Sequence, residues 1–116
     1  MSAEMFKQEE VKGVTVLLLT LGNFFHDDNE ALMKVFEQVL NEGHKKIVLD
    51  LAETNYISSL ILASMVYMQK RSQENGGNLI FCNIKVKVKE IMAMTNLDKV
   101  FNIVATRDEA IASFKA

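Results

Sequence analysis

The sequence predicts an α/β fold: a mixed four- to five-stranded sheet in the order β-β-α-β-α-β-α-β-α, with helices packed on the sheet. Three observations carry this. Apolar runs of strand length, at Val14–Leu21, Ile47–Leu51 and Leu79–Cys82, are separated by segments of helical periodicity. Strands alternating with helices give parallel neighbours through right-handed crossovers. Ahead of them, Met5–Val11 and Val14–Leu21 flank Lys12-Gly13, the pattern of an antiparallel hairpin, which makes the sheet mixed. With 116 residues, 49% of them hydrophobic, and no proline, the chain is long and apolar enough for one domain over residues 1–116 with a core of its own.

Each element has its own signals. Gly22-Asn23 breaks the second strand. Asp27 with Glu30 three residues on has capping-box spacing, and Leu32, Val35, Phe36, Val39 and Leu40 then follow one helical face as far as Gly43, a helix-ending C′ residue. Ile47, Val48, Leu49 and Leu51 form a nearly continuous apolar run, suited to a strand covered on both faces. A loop over Ala52–Asn55 leads to a helix from about Ser59 to Glu74, closed by Asn75-Gly76-Gly77. Leu79–Cys82 reads as a short buried strand. Between Ile84 and Lys89 the alternation is strand-like, but Val88, Ile91 and Met92 are spaced three and four apart, so a helix from about Val86 to Thr95 is expected, with Asn96 as its left-handed cap. Phe101–Val104 is a last short strand. Thr106-Arg107-Asp108-Glu109 opens the final helix, which carries Ala110, Ile111 and Phe114 inward.

Composition excludes several function classes. A net charge of −2 gives no general attraction to nucleic acid or to an anionic membrane. The basic clusters, Lys45-Lys46 and Lys85, Lys87, Lys89, lack interleaved aromatics and read as solvated faces. The lone Cys82 sits in an apolar run, as a small buried hydrophobe would, and excludes an internal disulfide. His26 and His44 have no metal-type spacing, so no metal and no cofactor are expected. No glycine loop has the phosphate-cradling frame and no serine lies in a GxSxG elbow. A phosphoacceptor-aspartate receiver domain fails on topology, because no strand and helix fit between Asp27-Asp28 and Asp50. With no membrane-length apolar stretch and no signal peptide, the expected compartment is the cytoplasm.

What stands out is Tyr56-Ile57-Ser58-Ser59-Leu60-Ile61. Ser58 is placed to cap the following helix through its side-chain oxygen, and Ser59 falls at the first helical position. A phosphate on Ser59 would sit at the positive end of the helix dipole, yet would add about −1.5 to −2 charges to a surface otherwise apolar. Phe25, Tyr56, Ser58, Leu60 and Ile61 are the candidate partner interface, with Phe24 and His26 beside it. Asp50, at the end of a strand, is a loop-organising carboxylate, since Asp side chains bond turn backbone.

Lys46-Ile47-Val48-Leu49-Asp50-Leu51, Tyr56-Ile57-Ser58-Ser59, Asn75-Gly76-Gly77-Asn78-Leu79, Thr95-Asn96-Leu97-Asp98-Lys99-Val100-Phe101 and Asp108-Glu109-Ala110 occur in the order and spacing of the STAS domains of bacterial anti-sigma factor antagonists. The chain resembles that family over nearly its whole length. The resemblance implies partner switching: binding to a GHKL-type anti-sigma serine kinase, release on phosphorylation of a serine at the start of the second helix, and restoration by a phosphatase. Ser59 matches the phosphoacceptor by position, with Ser58 the alternative. ATP and Mg²⁺ would belong to the kinase, and the antagonist itself would be no enzyme. The chain departs from the family pattern at Ser58, where the family has Asp, and at Leu60, Ile61 and Ala63, which replace Ser/Thr-Gly-x-Gly surroundings. A non-phosphorylated scaffold binding through Leu60 and Ile61, or a sensory module binding a small ligand or nucleotide, are the alternatives.

Overall fold

The computed structural model describes residues 5–114. β1 (Phe6–Val11) and β2 (Val14–Leu19) pair antiparallel across Lys12 and Gly13, whose φ values of 54° and 81° are both positive. Two positive φ values in a two-residue loop match the right-handed twist of the flanking strands. β2 then pairs in parallel with β4 (Lys46–Asp50), and β4 with β6 (Asn78–Cys82), in the order β1-β2-β4-β6.

Alternation along each strand builds two cores. Leu17, Leu19, Ile47, Leu49, Leu79 and Phe81 face α1 (Asn29–Asn41), α2 (Ser59–Glu74) and α3 (Val86–Met94). Val14, Val16, Val48, Ile80 and Cys82 face α4 (Arg107–Ala112) through Ala110 and Ile111. The continuous apolar run of β4 is therefore explained by cover on both faces. α1 and α2 are fastened side by side by the Arg71–Glu37 ion pair at 2.9 Å and by a hydrogen bond between Ser64 and Asn29. The hydrogen bonds that Arg71 donates to Glu37, and the charge of Glu37, raise the Arg71 pKa above its ordinary value.

Four sequence expectations shift. The second strand stops at Leu19 rather than Leu21. Asn23–Phe24 (β3) and Tyr56–Ile57 (β5), expected as a break and a loop exit, form a separate two-stranded parallel sheet. No capping box joins Asp27 to Glu30; a short 3-10 turn over His26–Asp28 precedes α1, and the Asp28 carboxylate accepts from the Phe25 amide at 2.8 Å. The last strand shrinks to one bridge, Phe81 to Ile103, because side chains hold that segment instead: Gln69 Nε2 donates to the Val100 carbonyl at 2.7 Å, and the Asn102 amide donates to Gln69 Oε1 at 3.0 Å. Asn96 adopts the left-handed cap at φ 61°, and Thr106 Oγ1 accepts from the Glu109 amide at the start of α4.

Candidate functional site

The chain reaches the start of α2 through a tightly bonded approach. Asp50 ends β4 with its carboxylate buried. It accepts from the Ala52 amide at 3.0 Å, from Asn83 Nδ2 at 3.1 Å, and from Arg107 Nε and Nη2, each at 2.9 Å. Burial works to lower the Arg107 pKa, but its hydrogen bond to Asp50 and the charges of Asp50 and Glu9 outweigh this and raise it. Thr54, fully buried, donates to the Leu21 carbonyl. The Gly22 carbonyl accepts from the amides of Asn55 and Tyr56, and the Phe24 carbonyl accepts from the Ser58 amide at 2.9 Å. The β3–β5 ladder thus fixes the segment carrying Phe25 beside the segment entering α2.

Ser58 is the N-cap. Its backbone is extended (φ −71°, ψ 163°), its Oγ accepts from the Ile61 amide at 3.3 Å, and it is only 4% exposed. One residue later the helix phase turns outward. Ser59 is exposed, and among the described residues nothing holds its hydroxyl. Leu60 is 39% exposed, Tyr56 41% and Phe25 53%; the rings of Phe25 and Tyr56 lie 5.6 Å apart, tilted by 40°. A free hydroxyl at the positive end of a sixteen-residue helix therefore stands in a rim of apolar side chains.

Two expected interface residues go elsewhere. Ile61 is fully buried in the core, on the same helical face as Leu62, Met65, Met68 and Gln69, so it offers nothing to a partner. Ser58 is taken up as the cap, so its hydroxyl does not face solvent. Phe24 is likewise fully buried, because alternation in β3 points it inward and its neighbour Phe25 outward. The structure brings together Phe25, Tyr56, Ser59 and Leu60, and keeps Asp50 below them at the base of the loop. Two contacts escaped sequence reasoning: Arg107 on Asp50, and Lys85 Nζ on Asn55 Oδ1 at 2.9 Å. Arg107 had a signal only as part of a capping box, and a pairing fifty-seven residues away leaves no periodic trace.

Cys82 lies under Asp50, and burial, with the Asp50 charge adding and the Arg107 charge opposing, pushes its thiol up to about 12. It is not a nucleophile at neutral pH. Among the described residues no group of three or more His, Cys, Asp or Glu could hold a metal, and no helix is long and apolar enough to cross a membrane.

The STAS domain model matches residues 5–110, and the chain belongs to the STAS domain family. It is 32% identical over 98 residues to a Thermotoga maritima protein named "Putative anti-sigma factor antagonist", spanning 83% of this chain and 87% of that one. A crystal structure of a protein described in the same terms, from the same organism, superposes with a TM-score of 0.80 at 29% identity, covering 94% of this chain and 93% of that one. The phosphorylated form of the Bacillus cell fate determinant SpoIIAA shares the fold, with a TM-score of 0.69 at 16% identity over 95% of this chain and 99% of that one.

Proposed function

We propose that this protein is a cytoplasmic anti-sigma factor antagonist that acts by partner switching. Unmodified, it binds an anti-sigma serine kinase through Phe25, Tyr56 and Leu60 around the start of α2. Phosphorylation of Ser59 breaks that contact, and a phosphatase restores it. The observation that carries this reading is the exposed, unbonded Ser59 hydroxyl at the first position of α2 inside an apolar rim. The fold would tolerate a phosphate there, since the helix dipole favours it. A partner surface complementary to Phe25, Tyr56 and Leu60 would not, because the dianion would have to be desolvated against apolar groups. The antagonist carries out no chemistry of its own; ATP and Mg²⁺ act on the kinase.

The test uses the GHKL-type serine kinases of the source organism, purified singly and mixed with this protein, ATP and Mg²⁺. Phosphate is expected on Ser59 and not on Ser58, and Ser59→Asp is expected to bind the same kinase at least about tenfold more weakly. A Ser59→Asp variant that binds as tightly as the parent would sink the switch. Leu60 favours a second reading. It is a bulky, exposed residue directly beside the acceptor, which suits a constitutive scaffold. In that case Ser59→Ala and Ser59→Asp both leave binding unchanged, while Leu60→Asp abolishes it.

A further inference from the structure

One edge of the main sheet is uncovered among the described residues. β6, on the far side, is covered by the segment that follows α3: the Phe81 amide donates to the Asn102 carbonyl, and the Asn83 amide to the Ala105 carbonyl. β1 forms the other side of the sheet and pairs only with β2. In that hairpin the Thr20 amide donates to the Met5 carbonyl, so Met5 and Thr20 are a hydrogen-bonded pair. Such pairs alternate along an antiparallel ladder. Lys7, Glu9 and Val11 therefore also bond inward to β2, and Phe6, Gln8 and Glu10 turn their amides and carbonyls outward. Among the described residues nothing bonds those outward groups.

Charge normally guards an open edge, and β1 carries Lys7, Glu9 and Glu10. Against a second copy of the same strand that guard fails in one register. Only Phe6, Gln8 and Glu10 have backbone groups to offer, so they must face one another, and a two-fold axis then passes through a residue. Centred on Lys7, the pairing opposes two lysines; centred on Glu9, it opposes two glutamates. Both are unfavourable. Nearer either end too little of the strand overlaps. Centred on Gln8, Lys7 meets Glu9 on both sides of the axis, and Phe6 meets Glu10. Gln8 itself carries both a donor and an acceptor, so it satisfies its own copy. Among the described residues Lys7 has no carboxylate partner. Glu9, with a side chain 61% exposed, gives one oxygen to Arg107 and keeps the other free. We propose that β1 is a self-docking edge: two copies pair antiparallel about Gln8 and join their four-stranded sheets into one. Gln8 bonds Gln8 in both directions, and Phe6 bonds Glu10 in both directions at either end. Lys7 and Glu9 occupy the closer, non-hydrogen-bonded pairs, where side chains meet best. A foreign strand would have to present the same Lys-x-Glu spacing in reverse, which a second copy supplies by symmetry. One ladder buries little apolar surface, so the dimer is weak, with a dissociation constant on the order of 10–100 μM.

The inference is independent of the partner-switching reading, since no residue of β1 belongs to the rim around Ser59. Sedimentation equilibrium of the full chain over about 5–500 μM, at low and at high salt, measures the self-association. A reversible dimer that salt weakens is expected. Lys7→Glu sets carboxylate against carboxylate on both sides of the axis and should raise the dissociation constant about tenfold or more. It breaks no bond of the folded chain. Gln8→Pro removes an amide that β2 does not use, so the hairpin keeps its ladder while the dimer loses its centre. The exchange Lys7→Glu/Glu9→Lys makes the facing charges opposite again and should bring the dissociation constant back to within about threefold of the parent. Under mild oxidation Gln8→Cys should cross-link to its own copy, whereas Glu10→Cys should not, because at this register only position 8 meets itself within disulfide reach. A chain that stays monomeric throughout the range overturns the proposal. So does a dimer indifferent to both Lys7→Glu and Gln8→Pro, or one that cross-links as fast through Glu10→Cys as through Gln8→Cys.

Discussion

Arg107→Met should destabilise the protein more than Asp50→Asn, although the two residues form one ion pair. The Asp50 carboxylate is 2% exposed and accepts from two guanidinium nitrogens and two neutral donors. Removing Arg107 leaves a buried charge with only the Ala52 amide and Asn83 Nδ2. Breaking a buried pair in this way costs about 3–5 kcal/mol. The Arg107 side chain is 31% exposed, so water can partly replace it, and the expected cost falls to about 2–4 kcal/mol. Asp50→Asn instead removes the buried charge. It leaves Arg107 with Glu9 at 3.0 Å and with solvent, for an expected cost of about 1–2 kcal/mol. The double variant should then cost less than the sum of the two, because the orphaned charge is gone. Urea unfolding of the four proteins measures this, and hydrogen exchange at Ala52 reports whether the loop below Tyr56 loosens with it. An Arg107→Met cost below about 1 kcal/mol, or strict additivity, would refute the view that Asp50 is held as a buried anion by Arg107.

Three further outcomes are expected. Ser58→Ala should lose about 1 kcal/mol with the N-cap, while Ser59→Ala stays within about 0.5 kcal/mol of the parent; equal losses in thermal or urea unfolding would contradict the division of labour between the two serines. Gly77→Ala should cost more than about 2 kcal/mol, because an added Cβ would lie 2.0 Å from the Lys45 carbonyl oxygen, backbone that cannot step aside without parting β4 from β6; a near-neutral result by calorimetry would contradict that close approach. Cys82 should react with a thiol reagent at pH 8 only as fast as the protein opens. Its raised pKa also means that the burial of the neutral thiol is intact below about pH 9 and is lost as the pH climbs toward about 12. Stability relative to Cys82→Ala should fall across that window and be flat beneath it.

The parts of this molecule that repeat at the period of a helix or a strand could be read from the chain. The split of β4 between two cores is one, since Ile47, Val48 and Leu49 say by their continuity that neither face meets water. The left-handed Asn96 and the Thr106 cap are others, because each is a local solution to a local geometric problem. What could not be read is pairing between distant residues. The β3–β5 sheet is two residues long on each side, too short for any alternation to show, and it exists because the Gly22 and Phe24 carbonyls accept amides from Asn55, Tyr56 and Ser58. The error at Ile61 has a related cause. An apolar helix start does not reveal which residues face the sheet until its phase is anchored, and the anchor is Ser58, bonded to Phe24 across that unseen ladder.

That anchor also explains how two adjacent serines come to have opposite fates. The Phe24 carbonyl fixes the Ser58 amide, and the Ser58 oxygen then accepts from Ile61, so the first helical turn has only one possible rotation. With that rotation Ile61 and Leu62 enter the core and Ser59 and Leu60 leave it. Each exposed position is the complement of a buried one, and neither serine can be moved without moving the core. The replacement of a charged cap by Ser58 therefore does not disturb the presentation of Ser59, because the position depends on a side-chain oxygen and not on its charge. What the substitution changes is the potential. The Asp implied by the family resemblance would place a negative charge beside Ser59, whereas Ser58 carries none and the exposed neighbours Phe25, Tyr56 and Leu60 are apolar or aromatic. A dianion added at Ser59 would thus put charge into an otherwise uncharged, apolar rim. In the proposed switch, a charge added at Ser59 would act directly on whatever partner covers Phe25, Tyr56 and Leu60.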